Sequence, residues 1–248
     1  MKVFITGDSH LGCLHKQHKA MKRARWESGD TGIPDIKITM EPMGPGGRLA
    51  DAFFVDRGNY AEIVEPLYLK HMTRLPPAKG KYDWIGLSSL LNAARVWRPN
   101  WSDFRPWHMS SETGAAISDS VLRQIIKDDS GQLLRFVDVI RRTTPVFVIE
   151  PPWPFRDQRA VKQNGGAKIM HVHRLYRDYV MKELQDRNVP VVEIDRNWVD
   201  ADGYTDPKFQ RDPVHGNAMF ARAMMERVEA FLAAQAADTA KRSVAGQT

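Results

Sequence analysis

The chain has 248 residues, is 42% hydrophobic and 27% charged, and carries a formal charge of +6. That balance is an ordinary soluble globular composition, long enough to bury a full core, and no apolar run approaches the ~20 residues that span a bilayer. The single cysteine, Cys13, excludes an internal disulfide framework and points to a reducing, cytoplasmic compartment.

The chain enters a strand at once, without signal-peptide anatomy. Lys2-Val3-Phe4-Ile5-Thr6 is short, apolar and β-branched. It breaks at Gly7-Asp8-Ser9-His10, and a helical pattern follows from Leu11 to Glu27, with Leu11, Leu14, Met21 and Ala24 as its inner stripe. Cys13 is most simply a small buried residue of that helix. The other helix face carries Lys16, Lys19, Lys22, Arg23 and Arg25. Such a face, with a pI near 9.4, attracts anionic partners in principle, nucleic acid among them. A solvated helix face is the simpler reading, so no nucleic-acid partner is expected. His15 and His18 lie three apart but lack a carboxylate or thiolate at ligand spacing.

A turn over 28–32 leads to an alternating strand, Asp35 to Met40. Met43-Gly44-Pro45-Gly46-Gly47 then brings bare backbone N–H groups within reach of a ligand, which makes Gly46 and Gly47 oxyanion-hole candidates. Ala52 to Val55 reads as a further strand, and 57–81 as loops with a short helix. Tyr82 to Ser89 is a strong strand, and Asn92 follows at its carboxyl end, where an amide can donate to a developing oxyanion. A Trp- and Arg-rich insertion follows near 96–116, including Trp97, Arg98, Trp101, Phe104, Arg105, Trp107 and His108. It suits a lid or an aromatic platform.

Ser118 to Arg142 has helical periodicity with a break expected near Ser130-Gly131. Pro145 to Ile149 is a buried strand ended by Glu150-Pro151-Pro152-Trp153-Pro154. A helix from Lys168 to Arg187 holds His171 and His173, two apart and so on different faces, which makes a metal pair of these two a poor assignment. Val189 to Ile194 is the last clear strand. The acids Asp200, Asp202 and Asp206 do not match a calcium-loop spacing. Asp212-Pro213-Val214-His215 precedes an amphipathic helix from Asn217 to Ala234, and 235–248 reads as a frayed, disordered tail after a single domain of 1–234.

Strands alternating with helices argue for a parallel sheet of about five strands covered on both faces. In such α/β sheets ligands bind outside the carboxyl ends of the strands. Ser9 stands at that place after the first strand, near a helix N-terminus suited to an oxyanion. Asp212 and His215, three apart on one loop, can set a carboxylate against an imidazole that serves as base to a serine. Gly-x-Ser-x-Gly is absent, which weighs against the nucleophile-elbow fold.

Together these blocks resemble the SGNH hydrolase superfamily, the GDSL-type esterases and lipases. Gly7-Asp8-Ser9 matches the first block and Asp212-Pro213-Val214-His215 the last, with the family's Asp-x-x-His spacing. The middle block, usually Gly-x-Asn-Asp, is matched at Asn92, but Leu90 stands at its glycine and Ala93 at its acid. The resemblance implies a flavodoxin-like three-layer α/β/α sandwich. It implies a carboxylic ester hydrolase with Ser9 as nucleophile, His215 as base, Asp212 as its orienting carboxylate, and Gly46 or Gly47 with Asn92 at the oxyanion. No metal and no cofactor is required. The substrate is a small-molecule or glycan ester, short-chain or O-acetyl. The alternatives are an O-acyltransferase acting on a polysaccharide and a non-catalytic glycan-binding relative with a degenerate site.

Overall fold

Five of the short apolar runs pair side by side in one sheet. The computed structural model describes residues 1–29, 36–91, 101 and 103–245. Its main sheet contains β1 (Lys2–Gly7), β2 (Lys37–Pro42), β3 (Trp84–Leu87), β4 (Val146–Ile149) and β5 (Val191–Val192). Their spatial order is β2-β1-β3-β4-β5, and every neighbouring pair is parallel. The register sets Ile5 beside Met40 and Gly86, and Gly86 in turn beside Phe147. This is the 2-1-3-4-5 order of a doubly wound sheet, whose connections reverse direction between β1 and β3.

Strand side chains alternate between the two faces. Val3, Ile5, Phe147 and Ile149 pack with Leu11, Leu14 and Met21 of α1 (Leu11–Ser28) and with Phe220, Met224 and Val228 of α4 (Ala218–Ala245). Phe4, Ile85, Leu87 and Val148 face the other way. They meet Leu122, Ile126 and Val137 of α2 (Asp119–Arg141) and Ile169, Val172 and Val180 of α3 (Gly166–Asp186). Helices therefore cover both faces, giving three layers. Each such side chain contributes about 1.5–3 kcal/mol by leaving water. Among the described residues no helix is long and apolar enough to cross a membrane.

Several expectations shift. Ala24 is exposed, and Cys13 takes its place on the buried stripe of α1. The strand expected over Ala52 to Val55 is Phe54–Asp56, and it does not join the main sheet. It pairs antiparallel with Ala61–Ile63, which pairs with Arg74–Leu75, two strands inside a stretch read as loop. Each is too short to show a period, and tertiary pairing decides them. Helix α2 runs unbroken through Ser130-Gly131, because the buried Ser130 hydroxyl donates to the Ile126 carbonyl at 2.8 Å while neighbouring side chains fill the core. The last strand shrinks to Val191–Val192. Pro190 has no N–H for the ladder, and the Ile194 N–H donates to the Glu150 side chain at 2.9 Å instead. The final helix continues to Ala245, through the segment from Gln235 that reads as a frayed tail. The stretch 30–35, where a turn and the start of β2 were expected, lies outside the described residues.

Candidate active site

Because all five strands run the same way, their carboxyl ends share one edge, and Ser9 lies on it just past β1. The Asp8 side chain accepts from the His10 N–H at 3.0 Å, and the Asp8 and Ser9 carbonyls accept from Leu11 and Gly12 at 3.1 and 3.2 Å. This turn starts α1. It also sorts the side chains: Asp8 and His10 are buried at 1% and 4% exposure, while Ser9 is exposed. The hydroxyl is thus presented at the surface from a turn fixed beneath it.

Gly7 makes that turn possible. A Cβ there would sit 2.1 Å from the Ser88 hydroxyl and 3.1 Å from the Ser88 backbone carbon. Gly7→Ala should cost about 1–3 kcal/mol through overpacking. It should also displace Ser9. A lower urea midpoint together with slower serine labelling checks both effects.

The loop after β5 carries the other two residues. The Arg211 N–H donates to the His215 carbonyl at 2.9 Å, and Asn217 Oδ1 accepts from Met219 and Phe220 N–H at 2.9 and 3.1 Å, capping α4. Within this frame Asp212 Oδ1 accepts from the Val214 and His215 N–H groups at 3.0 and 2.9 Å. His215 Nδ1 lies 2.9 and 3.0 Å from the two Asp212 oxygens. Arg211 donates to Asp212 Oδ2 through Nη2 at 2.8 Å and Nε at 3.0 Å. His215 Nε2 stands 2.8 Å from Ser9 Oγ. Two residues 206 apart in sequence are therefore hydrogen-bonded across the sheet edge.

The electrostatics assign the protons. Burial alone would raise the Asp212 pKa; the Val214 N–H, the Arg211 guanidinium and the His215 ring outweigh it and hold the carboxyl well below its usual range. An ionised carboxylate only accepts, so Nδ1–H of His215 donates to it, and in the neutral ring Nε2 is then the nitrogen that can accept from the Ser9 O–H.

The glycine stretch lies alongside. Gly46 opens a single 3-10 turn, Gly46–Arg48, and a Cβ on it would sit 2.9 Å from Asp8 Oδ2. Gly47 has open space at the same position. Gly46 is therefore the glycine packed against the serine block. Tyr68 fixes the stretch, its hydroxyl donating to the Pro45 carbonyl at 2.7 Å. Asn92 lies outside the described residues, as do residues 93–100 and 102 of the aromatic insertion. The strand end before Asn92 is anchored by the Tyr176 hydroxyl, which donates to the Leu90 carbonyl at 3.2 Å. In the insertion, Trp101 is buried in the core, and Phe104–Pro106 pairs in parallel with Ala115–Ile117. A pocket of about 270 Å³ lies beside the histidine loop, lined by Gln158, Arg159, Gln163, Asn164, Pro213 and Val214.

Solved structures with this architecture exist. A protein from Bacteroides fragilis assigned as an acylhydrolase superposes with a TM-score of 0.51 at 12% identity, covering 95% of this chain and 87% of that one. A GDSL-like lipase from Bacteroides thetaiotaomicron gives 0.51 at 11% identity, covering 95% and 88%. The chain shares the three-layer α/β/α fold of these two structures. No protein-family model matches the sequence, and no curated protein sequence does.

Within this fold, sequence reasoning left the contacts of three residues around the candidate site unassigned. His10 packs its ring 4.9 Å from that of His215 at 48°. Burial lowers its pKa despite the Asp8 carboxylate, so it is a neutral neighbour to His215. Arg211, unremarked as an ordinary surface cation, braces Asp212. Glu150, read only as the start of a proline loop, is 1% exposed and accepts from Arg177 Nε at 2.6 Å and Trp153 Nε1 at 2.7 Å. Charged residues within loops carry no periodicity, so nothing in their local sequence marks them. In the 200–206 loop Arg156 Nη2 pairs with Asp200 and Asp202, each at 2.7 Å.

Proposed function

We propose that the protein is a serine esterase of the SGNH type that cleaves short acyl or O-acetyl esters through an acyl-enzyme. The observation that carries this reading is the unbroken hydrogen-bond relay from Ser9 through His215 to Asp212, at 2.8 and 2.9 Å, at the carboxyl edge of the sheet.

Ser9 Oγ attacks the ester carbonyl while His215 Nε2 takes its proton. Asp212, kept ionised, orients the ring and stabilises the imidazolium. The developing oxyanion is held by the Ser9 N–H at the head of α1, by the Gly46 N–H and by the Asn92 amide. His215 then protonates the leaving alcohol. Water, deprotonated by His215, releases the acid and frees Ser9. The chemistry calls on no metal or organic cofactor. Gln158, Gln163 and Asn164 lie among the residues that line the pocket beside Val214, and the substrate class we propose is a small-molecule or glycan ester. If a sugar hydroxyl replaces water in the second half, the same acyl-enzyme performs acyl transfer.

Fluorophosphonate labelling read by mass spectrometry tests this. Wild type should carry one adduct, on Ser9, and His215→Ala should carry none. A folded wild-type protein that takes no label would rule out an activated serine and leave a glycan-binding role. Product analysis with and without a sugar acceptor separates hydrolysis from transfer.

A further inference from the structure

We propose that His108, Asp119 and His171 form a zinc-class divalent metal site that fastens the aromatic insertion to α2 and α3. The three residues come from three elements. His108 follows the short strand Phe104–Pro106, Asp119 is the first residue of α2, and His171 lies in the second turn of α3. Each offers one ligand atom, and these atoms lie within 4.8 Å of one another. The two imidazole rings are 4.8 Å apart at 73°, and His108 Nδ1 is 3.9 Å from Asp119 Oδ1, beyond hydrogen-bond reach.

Two further observations point to a cation. Asp119 Oδ1 and His171 Nε2 are buried, and neither has a hydrogen-bond partner among the described residues. Buried polar atoms in native proteins are almost always satisfied. Asp119 is also not spent on capping α2, since Ser118 Oγ accepts from the Val121 N–H at 3.3 Å and takes that role. A carboxylate oxygen and an imidazole nitrogen are thus aimed at a shared space with a second imidazole at its mouth.

The donor set selects the metal. Two imidazoles and one carboxylate suit Zn²⁺ or Co²⁺, whereas Ca²⁺ and Mg²⁺ take oxygen ligands. Tetrahedral zinc with bonds of 2.0–2.2 Å places its donors ~3.3 Å apart. The cluster must therefore tighten by at most ~1.5 Å from its 4.8 Å spread. His108, exposed and in a loop, supplies that movement by side-chain rotation. Three protein ligands leave the fourth position to water. Three elements held by one ion would make the insertion rigid, independently of any ester chemistry.

This pairing was not legible in sequence. His173, two residues on, faces elsewhere: it is buried with its ring 5.4 Å from that of Trp153.

Untagged protein, titrated with Zn²⁺ and followed by calorimetry and thermal melting, tests the site. Wild type should bind one Zn²⁺ per chain at micromolar metal and melt several degrees higher when loaded. Co²⁺ in its place should give the visible absorption of a four-coordinate nitrogen/oxygen site. His171→Gln should lose both. His108→Gln, at an exposed position where folding is not at issue, should weaken binding at least tenfold. The double variant His15→Gln/His18→Gln should bind as wild type does. Zn²⁺ should also slow proteolysis between Trp107 and Gly114 in wild type and not in His108→Gln. No stoichiometric binding by wild type, or undiminished binding by His108→Gln, would overturn the proposal.

Discussion

Replacing Ser9 by alanine should lower kcat for ester hydrolysis by about 10⁶-fold, and His215→Ala by as much, because a relay that acts as a unit fails when any reacting member is lost. The reason is geometric. Ser9 is a weak nucleophile unless its proton has somewhere to go, and His215 Nε2 at 2.8 Å is the acceptor the fold provides. Asp212→Asn tests a different property. It leaves the backbone acceptor geometry nearly intact but allows the side chain to donate to Nδ1, which reverses the imidazole tautomer. A fall of about 10⁴-fold is expected, with KM changed little, since Asp212 does not touch substrate in this mechanism. The double variant Ser9→Ala/His215→Ala should be no worse than either single one. Additive losses in a full kinetic cycle would show that the two residues act separately.

The same carboxylate ties stability to pH. The Asp212 pKa is lowered in the folded state, so its contribution is fully present above the unfolded carboxylate value of ~3.9 and is lost progressively as pH falls from there through the lower folded-state value. The pH profile of the Asp212→Asn urea midpoint should therefore converge with that of wild type in acid and separate from it at neutral pH.

Glu150→Ala should destabilise the fold by about 3–5 kcal/mol, the cost of breaking a buried ion pair from one side. Glu150 is 1% exposed at the carboxyl end of β4. Its Oε1 accepts from Arg177 Nε at 2.6 Å and Trp153 Nε1 at 2.7 Å, and its Oε2 accepts from the Ile194 N–H at 2.9 Å. One carboxylate thus joins α3, the proline loop and the end of β5. Removing it strands the Arg177 guanidinium, 8% exposed, with the partly exposed Glu193 at 2.7 Å as its remaining strong partner. It also leaves an indole N–H and a backbone N–H without acceptors. The urea midpoint measures the loss. Replacing both members, Glu150→Leu with Arg177→Met, should recover most of it, because an apolar pair of similar volume avoids the desolvation that the charges pay. No recovery would mean that the hydrogen bonds to Trp153 and Ile194 outweigh the charge pair.

The layered fold is readable in the sequence. β-Branched apolar runs alternating with helical stretches imply a parallel sheet between helices, and that inference needs only the periods of two and 3.6. Ser9, Asp212 and His215 were also legible as candidates, because Gly7-Asp8-Ser9 and Asp212-Pro213-Val214-His215 are short and local. Each sits where a strand or a loop meets a helix, and the change of hydrophobic period marks those boundaries. Asp212 and His215 share a loop, so their contact follows from spacing.

What could not be read are the contacts that join distant segments. The 2.8 Å approach of Ser9 and His215 depends on the crossing order of five strands. That Gly46, and not Gly47, lies against Asp8 is likewise a tertiary contact. The small antiparallel strands, the continuity of α2 past Ser130-Gly131 and the helix beyond Gln235 each follow from packing or pairing that local propensity does not encode. The same holds for the buried Glu150–Arg177 pair and for the meeting of His108, Asp119 and His171. A one-dimensional pattern carries the period of an element and the chemistry of its ends. It does not carry the distance between two ends of different elements, which is set when helices and sheet bury their apolar faces against one another.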